Sequence, residues 1–506
     1  MPGRLTEQPL FVLLTGIMGL AMAVPGAYAL AVGDMQDAQA FLGGGGLVLT
    51  LAVLLGLALG GRTPERQARE DLLSLLLAFS LLPLVLAFPF QMAVGNTRLL
   101  NAFFEMASSL TTTGATVFPG PDRLSGAEHL WRALVGWIGG FMIWVAAAAI
   151  LAPMKLGGFE VLSPQEPGQG AATSGPITRV ADTPERLSRY AVMLAPIYGG
   201  LTLALWIGLI ILGDGPLVAI CHAMSTLATS GISPVGGQEG AASGVAGEAV
   251  IFVFLFFAIS RQTFTREKGE GGFGRVLSDH EFRMGVMFAG VVPLFLFLRH
   301  WVGAFEVDGG EDLPAAASAL WGAIFTVLSF LSTTGFVSVA WDESQSWSGL
   351  ATPGLLLMGL ALIGGGVATT AGGVKLLRVY ALYRHGAREL ERLVHPSSVG
   401  GAGANARRIR REGAYVAWIF FMLFAISIAA VMLALAAAGI DFETAVILTI
   451  AALSTTGPLA EVAGAAPIAY ATLSDAAKLI LVAAMVLGRL ETLAIIALLN
   501  PDFWRN

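Results

Sequence analysis

The sequence predicts an all-α integral membrane protein in which four repeats of helix, pore half-helix and helix surround one central pore with pseudo-fourfold symmetry, preceded by two extra N-terminal transmembrane helices. Three observations carry this. Of the 506 residues, 55% are hydrophobic and only 13% charged, whereas soluble proteins carry roughly 25% charged residues. Mean hydropathy is +0.74, so water is not the main solvent. One short phrase of two hydroxyl residues and a glycine also occurs four times, each time behind an apolar stretch too short to cross a bilayer.

Runs such as Leu10 to Ala31, Leu72 to Phe90 and Ala414 to Ala438 reach the length of about 20 residues that a hydrocarbon core requires. Ten spans are expected, centred near residues 20, 52, 82, 142, 200, 254, 292, 362, 426 and 487. Ala27-Tyr28-Ala29 resembles a signal-peptidase site, but the apolar run exceeds a typical signal h-region and its flank holds a single arginine, so a retained helix is expected. With the N-terminus inside, the inner loops hold twenty-three of the 29 Lys and Arg, among them nine between Lys375 and Arg411. The outer segments carry Asp34, Asp37, Asp214, Glu306, Asp308, Glu311, Asp312, Asp342, Glu343 and Asp441. This asymmetry predicts a multi-pass protein of a bacterial inner membrane with both termini cytoplasmic. The net charge of -6 says little about partners; lipid is the surrounding medium and no nucleic-acid partner is expected. Cys221 is the one cysteine, which excludes an intrachain disulfide and a multi-cysteine metal site.

The recurring phrases are Thr111-Thr112-Thr113-Gly114, Ala228-Thr229-Ser230-Gly231, Ser332-Thr333-Thr334-Gly335 and Ser454-Thr455-Thr456-Gly457, with their glycines 117, 104 and 122 residues apart. Ahead of them run Leu99 to Leu110, Pro216 to Leu227, Ala319 to Leu331 and Thr444 to Leu453. Twelve helical residues span only about 18 Å, so these segments read as re-entrant half-helices. Thr97, Asp214 with Pro216, Asp312 with Pro314, and Asp441 stand at their starts as capping or opening residues. The chain divides accordingly into an N-terminal two-helix extension (1–70), a first pore repeat (71–160), an inner linker with a second repeat (161–280), a third repeat with a broken second helix and a basic inner linker (281–412), and a fourth repeat (413–506).

Non-helical backbone survives at membrane depth only where it lines water or is buried in protein. Four such strands around an axis can satisfy each other, and their carbonyls can replace the hydration shell of a monovalent cation. Glycine suits such a backbone because positive φ costs it nothing. The half-helices also aim their negative ends inward, which favours a cation. A single Thr-Thr-Gly would mean no more than helix packing by small residues; four copies at similar spacing behind half-length helices predict a filter. Its expected ion-binding residues are Thr112, Thr113, Gly114, Thr229, Ser230, Gly231, Thr333, Thr334, Gly335, Thr455, Thr456 and Gly457.

These residues resemble the Trk/Ktr/HKT superfamily of potassium transporters, most closely its TrkH branch. The resemblance lies in Thr111 to Val117 (TTTGATV), Ser332 to Phe336 (STTGF), Ser454 to Pro458 (STTGP), Trp137-Ile138-Gly139-Gly140, Gly488-Arg489-Leu490-Glu491 and the ending Pro501 to Arg505, and it covers nearly the whole chain. Thr229-Ser230-Gly231 departs from it, standing where the branch often has a bulkier apolar residue and two glycines. The resemblance implies four quasi-equivalent pore repeats, potassium uptake across the plasma membrane with potassium as substrate and no cofactor, homodimerisation, and a separate cytosolic nucleotide-binding regulatory ring like TrkA.

Within the third repeat, Gly364, Gly365, Gly366, Thr369, Thr370, Gly372, Gly373 and Lys375 belong to a glycine-rich stretch that will not hold a regular helix. It is expected about 16 Å below Pro353 as a gate loop beneath the filter, where the bland reading is a packing kink. Arg489 is placed roughly 21 Å into the last helix, either facing the pore as an electrostatic barrier or snorkelling to the inner interface; Lys478 is expected to be interfacial. Gly269 to Gly274 matches a dinucleotide pattern without its strand and helix, and nucleotide binding is not expected there. His222 reads as a packing histidine, and Arg407 to Arg411 as a solvated or lipid-facing patch. No nucleophile elbow or paired carboxylates point to an enzyme. The competing readings are a secondary transporter of an organic solute, whose broken helices would bind substrate at the midplane, and a sodium-selective transporter.

Overall fold

A computed structural model describes residues 9–59, 67–118, 120–154, 158–159, 183–260, 276–277, 279–303, 313–350, 352–395 and 411–490. Both chain ends, the Gly269 to Gly274 stretch, the basic run Arg407 to Arg410 and the final Pro501 to Arg505 lie outside them. Among the described residues the chain is all-helical. Eight helices are long and apolar enough to cross a membrane: Leu10–Val32, Met35–Leu59, Leu72–Val94, Gly126–Leu151, Glu185–Ile211, His280–Arg299, Leu313–Leu331 and Gly413–Ala437. Leu47, Leu57, Val192, Ile211 and Leu433 stand at least 70% exposed on these helices. Such a surface is stable against hydrocarbon rather than water.

Seven of the ten expected spans fall in that set. Two others are shorter, α9 (Gly244–Leu255) and α13 (Gly354–Ile363), and the tenth, α17, is described only over Asp475–Leu490. The eighth long helix was expected as a half-helix from Ala319. This α11 instead runs from Leu313 to Leu331, about 28 Å at 1.5 Å per residue. Its added residues Leu-Pro-Ala-Ala-Ala-Ser contain no interior helix breaker, since Pro314 sits in the first turn where a missing amide is harmless.

The remaining half-helices lie within two residues of their expected bounds: α5 (Leu99–Leu110), α8 (Pro216–Ala228) and α16 (Phe442–Leu453). Their starts differ chemically. Asp441 caps α16 by accepting the Thr444 amide at 3.0 Å, and Pro216 opens α8 from its first position. Asp214 does not cap α8. Its carboxylate accepts the Ser243 amide and hydroxyl at 2.8 and 2.9 Å, tying the half-helix entry to the start of α9. At α5 the capping position is Arg98, without a side-chain bond. The helix α6 (Gly126–Ala146) follows the first phrase and opens with a full capping box formed by Ser125 and Glu128. It is buried almost along its length, packing against both α5 and α8, so its residues reach the back of two filter phrases at once.

Candidate ion-conduction site

The four phrases share one local geometry. The residue two before each glycine is left-handed: φ is 55° at Thr112, 53° at Thr229, 59° at Thr333 and 53° at Thr455. A β-branched residue pays about 1–3 kcal/mol for that conformation, so surrounding contacts must impose it. Gly114, Gly231 and Gly335 are left-handed too, at 74°, 64° and 82°. Gly457 departs from the expectation of positive φ at every glycine.

Every phrase turns its amides back onto its own half-helix. The amide one before the glycine reaches the carbonyl six before it: Thr113 to Ser108 (2.8 Å), Ser230 to Ser225 (3.0 Å), Thr334 to Ser329 (2.9 Å) and Thr456 to Ala451 (2.8 Å). The left-handed residues donate similarly to Ser109, Thr226, Phe330 and Ala452. Alternating the sign of φ gathers amides on one side of a strand and leaves carbonyls on the other. Among the described residues no protein donor reaches the main-chain oxygens of Thr112, Thr229, Ser230, Thr333, Thr334 or Thr455. The hydroxyls also face backward. Thr111 and Thr113 oxygens lie 2.8 Å apart, Ser332 and Thr334 2.9 Å, and Ser454 and Thr456 3.2 Å. The second phrase has Ala228 at that place, and Ser230 bonds Ser225 instead at 3.1 Å.

Neighbouring phrases touch in a closed circuit. A Cβ added to Gly114 would lie 1.8 Å from the Ser230 carbonyl oxygen; one on Gly231 would lie 2.4 Å from that of Thr334; one on Gly335 would meet the Pro458 ring at 2.9 Å; and one on Gly457 would lie 2.2 Å from the Ala115 amide. The Gly457 amide also donates to Thr113 at 2.6 Å. The twelve residues expected to bind the ion are thus brought together, first phrase to second, third, fourth and back to first.

The glycine-rich stretch is non-helical from Gly364 to Lys375 and lies buried between α13 and α14 (Leu376–Val394). It presses upward on three of the four phrases. Thr370 donates to the Leu227 carbonyl at 2.9 Å, Gly372 donates its amide to the Thr333 hydroxyl at 2.7 Å, and a Cβ on Gly372 would meet the Ser454 carbonyl at 2.2 Å. From the inner side it is held by Ala258, whose carbonyl accepts from Gly366 (2.9 Å) and Thr369 (3.0 Å), and by the Glu281 carboxylate, which accepts the Val367 amide at 2.7 Å. Arg489 is 4% exposed and donates to the Thr370 carbonyl at 2.7 Å; its guanidinium braces the loop rather than running to the interface. Loop and Arg489 share a cavity of about 20 Å³ with Ile143, Ala147 and Gly488, room for about one water molecule. Lys478, in the first turn of α17, is covered by protein, with Nζ 3.1 Å from Asn101 and 3.2 Å from the Ala471 carbonyl, because the α5 start offers it oxygen partners.

The TrkH family model, described as a cation transport protein, matches residues 249–503. The Trk system potassium uptake protein TrkH of Salmonella typhimurium is 32% identical over 512 residues, covering 97% of this chain and 99% of its own. That of Vibrio parahaemolyticus is 32% identical over 452 residues, 87% of each chain. The crystal structure of the potassium transporter TrkH from Vibrio parahaemolyticus matches with a TM-score of 0.80 at 29% identity, covering all of both chains. The chain belongs to the TrkH family.

This TrkH family member holds further residues around the four phrases whose anchoring contacts sequence reasoning missed, His222 having been read only as packing. Nine residues before the filter glycines stand Glu105, His222, Thr326 and Leu448. Glu105 accepts from the Val117 amide (3.1 Å) and the Thr116 hydroxyl (3.2 Å); His222 Nε2 lies 2.8 Å from the Ser233 hydroxyl; and Thr326 accepts the Ser338 amide at 3.2 Å. One half-helix position therefore anchors the limb beyond the glycine in three repeats. The fourth, with Leu448, uses Tyr470 instead, whose hydroxyl donates to the Gly457 carbonyl at 3.0 Å. Glu248 adds a second anchor to the third limb, accepting from Val339 (2.6 Å), Ser338 (2.8 Å) and Trp321 (2.9 Å). The available signal was a lone polar or ionisable residue in an apolar helix, which demands a buried partner. His222 is buried and bonds Ser233 through Nε2, while its Nδ1 has no hydrogen-bond partner; among the described residues no cluster of His, Cys, Asp or Glu side chains could hold a metal ion.

Proposed function

We propose that this protein takes up potassium across the bacterial inner membrane through a filter of main-chain carbonyls contributed by the four Gly-ended phrases. The observation that carries this reading is the shared turn of all four phrases: amides bound backward, the left-handed threonine carbonyls left, among the described residues, without protein donors, and neighbours in contact around a circuit. Such oxygens replace a cation's hydration shell without a charged side chain, and a monovalent ion leaves them readily. The naming of its relatives as Trk system potassium uptake proteins supports potassium as the substrate.

In this reading residues 364–375 are the gate. Seated under the filter, the loop closes the inner passage, and its five glycines let it withdraw. Arg489 sets a positive barrier below the carbonyls and at the same time fastens the closed loop through Thr370. A homodimer, with a cytosolic nucleotide-binding ring of the TrkA kind acting on the gate from below, completes the proposal, with both termini cytoplasmic. The organic-solute reading finds little support, because the space at the broken helix is about 20 Å³, against several hundred for a small-molecule site. Expression in a bacterial strain lacking its own potassium uptake tests the proposal: growth at low potassium and rubidium uptake that sodium does not match support it. Equal uptake of sodium favours the sodium-selective reading, and competition by an organic solute favours the other.

A further inference from the structure

Behind the first filter phrase lies a polar chain that joins a buried ion pair to a histidine. Glu105 in α5 is completely buried and Arg132 in α6 is 5% exposed; their carboxylate and guanidinium meet at 2.5 Å. The other Glu105 oxygen holds Thr116 and Val117, immediately beyond the filter. Arg132 continues to His129 Nδ1 at 3.4 Å, and His129 Nε2 lies 2.8 Å from the Pro121 carbonyl. Only one neutral tautomer serves both contacts: Nε2 carries the proton given to Pro121, and Nδ1 accepts from Arg132. The relay therefore grips the outer loop at two places, 116–117 and 121, from a single origin inside the helix pair.

We propose that Glu105, Arg132 and His129 are positioning residues that determine ion preference, by fixing the spacing of the first phrase against the second. The inference rests on the filter reading above. Its physical basis is contact: the first phrase meets the second within the space a methyl group would need at Gly114, so any drift of the 115–118 limb alters the carbonyl circuit directly. The relay sits at the back of the filter and touches no ion. The second and third phrases are anchored at that half-helix position by His222 and Thr326, and the third limb also by the Glu248 carboxylate. Among the described residues only the first is anchored by an ion pair, which holds its geometry only while both charges are present.

The test measures the ratio of potassium to sodium uptake for single and double variants in the uptake-deficient strain, with membrane abundance determined in parallel. Glu105→Gln keeps an acceptor for Val117 but leaves Arg132 without its counter-charge, and should lower the ratio about tenfold. The double variant Glu105→Gln with Arg132→Gln should recover most of the loss, an effect that a merely structural role for either residue would not produce. His129→Ala, at the far end of the relay, should lower the ratio several-fold, and His129→Gln, able to donate and accept, should restore it. This second pair decides the matter if Glu105 variants fail to reach the membrane. Parental ratios in Glu105→Gln and His129→Ala at normal abundance overturn the inference, as does a double variant no better than the single one. Gly114→Ser is measured beside them: if it alone shifts the ratio, the relay fails and the filter stands, and if nothing shifts it, the filter reading fails.

Discussion

At Gly114 a single hydrogen atom in place of a side chain lets the first phrase meet the second, the closest contact of the proposed filter. Its backbone is left-handed and it faces the Ser230 carbonyl oxygen at a distance that leaves no room for a Cβ. Gly114→Ser should displace that oxygen and the ion site with it, and the expected outcome is a potassium-to-sodium uptake ratio reduced about tenfold or more, while total protein in the membrane is retained. Arg489 predicts the opposite direction. Arg489→Ala removes a positive charge from the passage and the bond that holds Thr370, so the rate of potassium uptake at saturating substrate should rise. A rate that stays level or falls would show that the guanidinium neither blocks nor braces. The four glycines were legible in the sequence, but the left-handed threonines were not. Positive φ at a β-branched residue runs against its intrinsic preference; here it accompanies amides drawn back onto the half-helix three and five residues earlier, and no local propensity announces it.

At the scale of elements, the half-helices and the broken span were readable because they break rules of length and composition that the bilayer enforces. Helix α11 was not, since nothing in residues 313–318 marks a boundary. The links between elements were also hidden: Glu105 with Arg132, Glu248 with Val339 and Glu281 with Val367 join residues 27, 91 and 86 positions apart. The gate loop carries its own prediction. A side chain at Gly372 would strike the Ser454 carbonyl and the Thr455 hydroxyl at 2.2 and 2.3 Å, so Gly372→Val should unseat the loop and raise potassium uptake measured without any regulatory partner. Unchanged uptake would mean that the loop does not obstruct conduction. The cap of α16 titrates in a defined direction. The Thr444 amide holds the Asp441 carboxyl below the usual carboxylate range. Its contribution is therefore complete above the ordinary carboxylate pKa and is lost as pH falls through the lowered value. Asp441→Asn should make the thermal midpoint of the purified protein less dependent on pH in that acid window.

For the molecule as a whole, the proposed conduction rests on four unequal phrases that reach one common backbone turn. The phrases differ in side chains, in what anchors their outer limbs and in their half-helix lengths, yet they share the same pattern of backward-bound amides. The glycine-rich stretch breaks the symmetry: it packs against the second, third and fourth phrases and shares its small cavity with Arg489. Anomalous scattering from rubidium bound to the crystallised protein tests the central claim most directly. The account predicts a peak on the axis of the circuit, within coordination distance of the main-chain oxygens at Thr112, Thr229, Thr333 and Thr455, lost in Gly114→Ser. A rubidium site away from those oxygens, or none at the circuit in a protein that still carries potassium, would contradict it.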